Sequence, residues 1–369
     1  MYITMDSKRL IIFPSSRQIS LLCAISLQED ASIYVVLHSK DELHDVPENR
    51  IIFVCCDDLA GVSSLRNNDM SVLCCHEEAV FWAGKYKGNG WEFSFDREYF
   101  GLLEKHIFKS FAQRHGIPSG RYMLGTEEIT KFPVIAKPSI GFGSICVRNI
   151  ECMSEAENYV QNFDAAVRAS AIYSYQAKYF DGRKNIPVFE DVIDGRFYRT
   201  PFIAEGMKCK RLFPSLGITK RKKDSTDFNW IEFEYSSEDA VNTAEKIINL
   251  HNVLIEAFGL KDGVYISEFI LSGSNEPVLL EFSPRQPSSR INRMIYFSEG
   301  IDLEQEAILY FFDKEHHRQD KDRSHDVRLR LQGSGVSFPE LTGYESVHDI
   351  SEVSVHREKI QCKYFRKLA

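Results

Sequence analysis

The sequence predicts an α/β protein that is built from α/β and α+β modules. The chain has 369 residues, which is enough for two or three packed modules with a large core. Hydrophobic residues make up 43% and charged residues 27% of the sequence, as is ordinary for a globular protein. Short apolar strands alternate with helical patterns in the first part of the chain, which is typical of a parallel sheet.

The N-terminal elements follow this alternation up to about residue 85. We predict helices from the end of the first strand to about Leu27 and over His76–Lys85. The strands are predicted at 8–13, 32–37, 51–54 and 72–73. No GxGxxG sequence follows the first strand, so this module lacks the dinucleotide-binding fingerprint.

The remaining elements are more mixed. An amphipathic helix is predicted over 101–115, where Gly116 provides a stop signal, and a long helix over Ser236–Phe258 ends at Gly259. After about residue 320 the chain is highly charged, and it returns to strand-like alternation near 327–356. The other predicted strands are 132–137, 145–147, 187–193, 264–271 and 277–282.

Charge and cysteine usage exclude several classes of protein. The chain has 45 Lys and Arg against 53 Asp and Glu, and a net charge of −8 disfavours binding to nucleic acid or anionic membranes. No apolar run approaches the ~18 residues that cross a bilayer. The 9 cysteines are scattered without a CxxC motif, so we interpret them as buried thiols in the cytoplasm rather than as a zinc site.

Two glutamates face each other in the last predicted hairpin. If Ser272 pairs with Pro277 across the turn, Glu268 lies opposite Glu281, with Cβ atoms about 5 Å apart. Such a pair is unfavourable unless a cation lies between the carboxylates. Ser283 would point to the same face, which then offers the hard oxygen ligands that Mg²⁺ prefers. The alternative is a solvent-facing hairpin with two exposed glutamates.

A lysine and a small-residue loop suggest a second functional region. Lys137 ends an apolar strand, and the loop at 138–144 contains Gly141, Gly143 and Ser144. Such a loop can close over a polyphosphate with its backbone N–H groups, while the lysine supplies a point charge. A flexible hairpin turn is an equally good interpretation of the loop alone.

These segments, in this order, resemble the ATP-grasp superfamily, and within it the carboxylate–amine ligases, especially the L-amino acid (dipeptide) ligases. The resemblance covers about residues 70–310 and starts at Cys75-His-Glu-Glu-Ala-Val. It continues through Glu104-Lys105, the Lys137 loop, Phe-Glu190-Asp-Val-Ile193-Asp-Gly, Gly217-Ile-Thr-Lys220 and the hairpin that ends in Glu281-Phe-Ser-Pro-Arg285.

The resemblance implies an ATP-grasp fold with three parts. A Rossmann-like pre-ATP-grasp domain would occupy residues 1–98. The ATP-grasp domain would occupy 99–318, with a phosphate-loop subdomain at about 99–190 and a metal-binding subdomain at about 191–318. A small β-containing segment at 319–369 would pack on the ATP-grasp core.

The resemblance also implies the roles of individual residues. Arg285 and Lys220 would be catalytic, and Glu268, Glu281 and Ser283 would hold Mg²⁺ or Mn²⁺. The substrate would contact Ser288, Ser289 and Arg290. ATP would bind through Lys105, Lys137, Ser139, Gly143, Ser144, Glu190, Asp191 and Ile193. The sequence departs from the family at Ser283, where asparagine is usual, and at Phe197, where a ribose-binding carboxylate is usual.

The implied activity is an ATP-dependent ligation through an acyl phosphate, which releases ADP and phosphate. The substrates would be a small-molecule carboxylate, such as an amino acid or peptide, and an amine. A homodimer is common among enzymes of this family, although the sequence does not fix the oligomeric state. Two alternatives remain open at this point. In the first, the ligase transfers the acyl group to a carrier thiol or a peptide side chain. In the second, the protein binds nucleotide and catalyses no reaction.

Overall fold

The computed structural model describes most of the chain, in segments separated by short gaps. The described residues are 8–26, 32–39, 51–65, 70–141, 146–170, 173, 176–178, 180, 182–220, 230–314, 327–333, 344–355 and 358–367. Their strands form three sheets.

The first sheet contains five parallel strands in the order β3-β2-β1-β4-β5. Its inner strands are buried on both faces, which explains their continuous apolar sequences. The strands are Lys8–Ile12 (β1), Ile33–Leu37 (β2), Ile51–Cys55 (β3), Met70–Cys74 (β4) and Glu92–Phe93 (β5). The helices of this part are Ser16–Ser26 (α1), Leu59–Ser64 (α2) and Glu77–Gly84 (α3). Helix α3 starts just beyond the carboxyl end of β4, the edge where ligands bind in such sheets.

The second sheet contains four antiparallel strands in the order β6-β9-β7-β8. Aromatic and aliphatic residues of the helix Met153–Ala169 (α5) pack against it. The helix Lys105–Arg114 (α4) precedes this sheet, after a 3₁₀ helix at Arg97–Leu102; a shorter 3₁₀ turn spans Thr126–Glu128. The strands are Tyr122–Met123 (β6), Val134–Pro138 (β7), Arg148–Ile150 (β8) and Pro187–Asp191 (β9).

The third sheet has nine antiparallel strands, in the order β15-β14-β10-β12-β13-β16-β18-β17, with β11 beside β10. The strands are Gly195–Glu205 (β10), Lys208–Leu212 (β11), Ser215–Lys220 (β12), Trp230–Tyr235 (β13), Gly263–Ser272 (β14), Pro277–Ser283 (β15), Val327–Gly333 (β16), Tyr344–Val355 (β17) and Glu358–Lys367 (β18). The helices of this part are Ser237–Ala257 (α6), Ser289–Glu299 (α7) and Leu303–Phe311 (α8).

Aromatic packing fixes strand β15 in place. Phe282 stacks on Phe258 with ring centroids 4.7 Å apart, and the Tyr99 hydroxyl donates to the Phe282 carbonyl at 2.6 Å. Because neighbouring side chains of a strand point to opposite faces, the burial of Phe282 directs Glu281 and Ser283 to the other face. That face carries the candidate site.

Some sequence predictions differ from the structure. The strand predicted at 145–147 lies at Arg148–Ile150, and the sequence interpretation did not include α5, α7, α8 or the strands β10 to β13. The eight cysteines whose side chains the structure describes are free thiols, but only Cys56, Cys74, Cys75 and Cys209 among them are buried, and Cys152 is exposed. No helix among the described residues is long and apolar enough to cross a bilayer.

Candidate active site

The two glutamates of the last hairpin lie directly opposite each other, as predicted. Glu268 of β14 pairs with Glu281 of β15. The pairing at the turn differs from the prediction, because Leu271 rather than Ser272 lies opposite Pro277. A β-bulge between Glu268 and Phe269 absorbs this difference and restores the expected register at the carboxylates.

Glu281 lies in an unfavourable environment for a charged carboxylate. Burial raises its pKa, and the charges of Glu268 and Glu77 raise it further, whereas Lys105 and Lys137 lower it in part. Its carboxylate forms no hydrogen bond or ion pair with the residues that the structure describes. A cation beside Glu281 and Glu268 would relieve this repulsion.

A cation from the protein lies on the other side of Glu268. Arg199 of β10 is opposite Glu268 in the β10–β14 register, and its Nε donates to Glu268 Oε1 at 2.7 Å. The guanidinium lies over the Phe233 ring, 5.1 Å from its centroid. Arg199 was not identifiable from the sequence, because strand β10 was not predicted and the contact with Glu268 of β14 spans 69 residues.

Glu77 joins the N-terminal sheet to the end of β15. Its Oε2 accepts hydrogen bonds from Ser283 Oγ at 2.8 Å and from Arg285 Nε at 2.7 Å. Arg285 also donates from Nη1 to the Gln286 carbonyl at 2.7 Å, so its guanidinium is held at two points. Glu77 is the first residue of α3, where the helix dipole stabilises a negative charge. Its position in the Cys75–Val80 segment is the signal that could have identified it.

A cluster of lysines surrounds the buried carboxylate of Glu190. Lys137 Nζ lies 2.7 Å from Glu190 Oε1, and Lys109 Nζ lies 3.4 Å from Glu190 Oε2. Burial raises the pKa of Glu190, but Lys137 and Lys109 outweigh this effect and hold the pKa below its usual value. Lys105 donates to the Gly141 carbonyl at 2.6 Å, and burial lowers its pKa.

Lys109 is the member of this cluster that sequence reasoning missed. It is fully buried, and its ammonium forms no hydrogen bond within the described residues. Burial lowers its pKa, and the Glu190 charge opposes this change. Its spacing of four residues from Lys105 places both on one face of α4, which is the signal that was available. The three lysines exceed the single charge of Glu190, and Lys105 and Lys137 also act on the nearby Glu281.

Ser139 connects this cluster to the following loop. Its buried hydroxyl donates to Asn185 Oδ1 at 3.0 Å and accepts from the Ile186 N–H at 3.0 Å. Asn185 also binds both backbone groups of Ile140. These bonds fix the start of the predicted phosphate loop, whereas Gly143 and Ser144 lie outside the described residues.

Two further predicted ATP-binding residues, Asp191 and Ile193, follow Glu190 in the chain. The Asp191 N–H donates to the Arg121 carbonyl at 3.2 Å, and the Asp191 carboxylate lies 3.7 Å from Lys131 Nζ. Ile193 is in the short connection from β9 to β10, beside Gly120, where an added Cβ would meet Ile193 Cδ1 at 3.1 Å. The ATP-binding role of Asp191 and Ile193 stays a prediction.

The remaining predicted residues lie at the ends of elements. Lys220 is the last residue of β12, opposite Trp230. Ser288 is the residue before α7, which begins at Ser289 and continues through Arg290. The hydroxyls of Ser289 and Ser15 lower the pKa of Glu304 in part, although burial raises it overall. Glu304 of α8 therefore connects Ser289, at the start of α7, with Ser15, in the loop before α1.

The donor set fits a hard divalent cation and a polyphosphate. No group of three or more His, Cys, Asp or Glu side chains among the described residues is arranged to hold a metal alone. Mg²⁺ usually takes one or two carboxylates together with water and phosphate oxygens, and Glu268 and Glu281 supply two facing carboxylates. Glu281 and one oxygen of Glu268 are available as ligands, and Ser283 Oγ retains lone pairs while it donates to Glu77.

No protein-family model and no curated protein matches this sequence. Similarity to solved structures is nevertheless extensive. The L-amino acid ligase from Bacillus licheniformis matches with a TM-score of 0.65 at 14% identity, over 99% of this chain and 95% of that chain.

Two other solved structures are also similar to this chain over almost its whole length. Phosphoribosylglycinamide synthetase from Anaerococcus prevotii has a TM-score of 0.62 at 12% identity, covering 98% of this chain and 94% of that chain. Carboxyaminoimidazole ribonucleotide synthase from Aspergillus clavatus, complexed with ATP, has a TM-score of 0.62 at 9% identity, covering 99% and 94%. These proteins are ATP-grasp ligases, and the chain has the ATP-grasp fold. The predicted fold class is confirmed.

Proposed function

We propose that this protein is an ATP-dependent ligase that joins a small-molecule carboxylate to an amine. The observation that carries the proposal is the facing pair Glu268 and Glu281, in which Glu281 has no partner among the described residues. The charges of Lys105 and Lys137 lower the pKa of Glu281 in part. Arg285 lies two residues beyond the end of β15, the strand that contains Glu281. Carboxylates, lysines and an arginine in one region suit the transfer of a phosphoryl group.

Glu268 and Glu281, with Ser283, would hold the divalent cation. When bound, Mg²⁺ neutralises charge on the phosphates. Lys137 and Lys105 would bind phosphate oxygens. When Lys137 turns toward the nucleotide, Lys109 would remain as the positive charge that neutralises the Glu190 carboxylate. This division of roles explains why one buried carboxylate has two lysine neighbours.

The reaction would proceed in two displacements. An oxygen of the substrate carboxylate attacks the γ-phosphorus of ATP, and the bond to the bridging oxygen breaks to release ADP. The amine then attacks the acyl carbon, loses a proton, and phosphate leaves. Arg285, which Glu77 holds from the N-terminal sheet, would stabilise the negative charge that develops on the acyl phosphate.

The acceptor is an amine in this proposal because the L-amino acid ligase is among the similar folds. Ser288, Ser289 and Arg290 would contact the substrate, since they follow Arg285 within a few residues, after the strand that carries Glu281. A carboxylate on the substrate would suit Arg290, which can form bidentate contacts.

The test is nucleotide release across a panel of amino acids, each offered with Mg-ATP alone and with a second amino acid. The proposal predicts that ADP release depends on the carboxylate, and that hydroxylamine traps the activated acid as a hydroxamate. Release of AMP would contradict the acyl-phosphate route. Hydroxamate formation without amine-dependent product would favour a thiol or peptide side chain as the acceptor.

A variant of the facing carboxylates tests whether they hold the metal and nucleotide. Glu281→Ala should abolish ADP release and weaken Mg-ATP binding. If the whole panel releases no ADP and Glu281→Ala binds ATP as well as the wild type does, the ligase proposal fails.

A further inference from the structure

Arg199 is the cation that the structure places against the two facing carboxylates. Three adjacent strands put Arg199, Glu268 and Glu281 in one row on the same face of the sheet. The guanidinium Nε and Nη2 both contact Oε1 of Glu268, and the Nε distance is 2.7 Å. Oε2 of Glu268 forms no hydrogen bond or ion pair with the described residues.

The ion pair is open to ligands. The Arg199 side chain is 31% exposed and the Glu268 side chain 24% exposed. A pair with this exposure contributes little free energy, so a ligand can exchange it at small cost. The Arg199 guanidinium also packs on the Phe233 ring. This cation–π contact would keep Arg199 beside Glu268 and Glu281 after its ion pair with Glu268 is broken.

We propose that Arg199 is a phosphate-binding residue that exchanges Glu268 for a terminal phosphate oxygen when Mg-ATP binds. This inference rests on the proposed function and assigns a further binding residue to the same site. A cation held by Glu268 and Glu281 would also bind phosphate oxygens of the nucleotide, and Arg199, in the same row, would then be within reach of those oxygens. The planar fork of arginine matches phosphate geometry and forms charge-assisted hydrogen bonds with it.

The exchange gives Arg199 two opposite effects. Without nucleotide it competes with the divalent cation for Glu268, so its removal should strengthen binding of the cation alone. With nucleotide it binds phosphate, so its removal should weaken binding of Mg-ATP. A residue with a merely structural role would not change the two affinities in opposite directions.

The experiment measures both affinities in the full-length protein. Mn²⁺ alone is titrated and followed by electron paramagnetic resonance, and Mg-ATP and Mg-ADP are titrated by calorimetry. The variants are Arg199→Met and Arg199→Lys. The matched control is Arg196→Met, which removes an arginine of the same strand that points to the opposite face and pairs with Asp239 at 2.9 Å.

Arg199→Met is expected to bind Mn²⁺ alone about two- to fivefold more tightly. It should bind Mg-ATP about tenfold more weakly, with a smaller change for Mg-ADP. Arg199→Lys keeps the charge, so its Mn²⁺ affinity should stay near the wild-type value. It lacks the fork, so its Mg-ATP affinity should fall roughly threefold. The control should match the wild type in every titration.

The results that would contradict the Arg199 inference differ from those that would contradict the proposed function. If Arg199→Met binds Mn²⁺ no more tightly than the wild type, or if it binds Mg-ATP equally well, the Arg199 inference is overturned while the proposed function stands. If Arg199→Met does not fold, an unchanged Mg-ATP affinity in Arg199→Lys overturns the inference. If the wild type itself binds no Mg-ATP, both the proposed function and the inference fail.

Discussion

Glu281 lies directly opposite Glu268 in the adjacent strand, and its carboxylate has no hydrogen bond or ion pair within the described residues. Burial and the neighbouring carboxylates raise its pKa, so the ionised form is disfavoured in the folded protein. The arrangement costs stability in the free protein and supplies a place for a cation.

Neutralising Glu281 should therefore stabilise the protein in the absence of metal. Glu281→Gln removes the repulsion with Glu268 and should raise the free energy of unfolding by about 1 kcal/mol. Chemical denaturation in EDTA measures this change. Glu276→Gln is the control, because it removes the same charge from the exposed turn of the same hairpin. Equal or lower stability of Glu281→Gln would contradict the repulsion argument.

Lys109 and Glu190 should be coupled in their effect on stability. Glu190→Gln leaves Lys109 and Lys137 without a counter-charge, and we expect a loss of about 3 kcal/mol or more. Lys109→Met should cost less, because Lys137 still pairs with Glu190. The double variant should recover part of the loss of Glu190→Gln, and a double-mutant cycle by urea denaturation measures the coupling. Strict additivity of the two losses would contradict the assignment.

Glu77 should act on turnover through Arg285. Glu77→Gln loses the charge-assisted bond to Arg285 Nε but leaves Lys105 and Lys137 in place. We expect kcat for ADP release to fall about tenfold to a hundredfold, with a smaller change in Mg-ATP affinity. Glu92→Gln is the control, because it removes an exposed carboxylate of strand β5 that pairs with Lys261. A fall in nucleotide affinity with unchanged kcat would argue against this positioning role.

Because His251 is buried in its neutral form, we predict that the free energy of unfolding decreases in acid. Burial lowers its pKa to about 4, although the hydrogen bond to the Ile247 carbonyl opposes the shift. The neutral ring donates from Nδ1 to Ile247 at 2.9 Å and accepts from Ser267 Oγ at Nε2, 2.8 Å away. Because the folded pKa lies below the unfolded value near 6.5, this stability is present above about pH 6.5 and is lost as the pH falls toward 4.

The measurement for His251 is the free energy of unfolding between pH 7 and pH 4. The histidine alone should account for a loss of about 3 kcal/mol over this range. His251→Gln should be less stable at pH 7 and should show a flatter profile. A variant whose profile remains as steep as that of the wild type would refute the assignment.

The sequence located the residues of the carboxylate hairpin but not all of their partners. Glu268 and Glu281 were predictable because strand alternation and a short turn determine which residues face each other. The bulge beside Glu268 was not, since it depends on how Phe269 and Leu279 pack. The predicted pairing at the turn is wrong by one residue, and the bulge shifts the register back by one residue. The predicted pairing of Glu268 with Glu281 is therefore correct.

The partners that were missed come from distant elements. Glu77 contacts Arg285 across 208 residues, and Arg199 contacts Glu268 across 69. Periodicity within one segment carries no information about such contacts. Strand β10 was also difficult to identify, because its burial pattern lacks regular alternation at its buried end.

The most direct test of the account is a calorimetric titration of ATP into the wild type and Glu281→Gln, each with Mg²⁺ and with EDTA. We predict saturable binding by the wild type that depends on Mg²⁺, and a loss of this dependence in Glu281→Gln. Wild-type binding that is equally tight in EDTA, or Mg²⁺-dependent binding that survives in Glu281→Gln, would contradict a nucleotide–metal site at the Glu268–Glu281 pair.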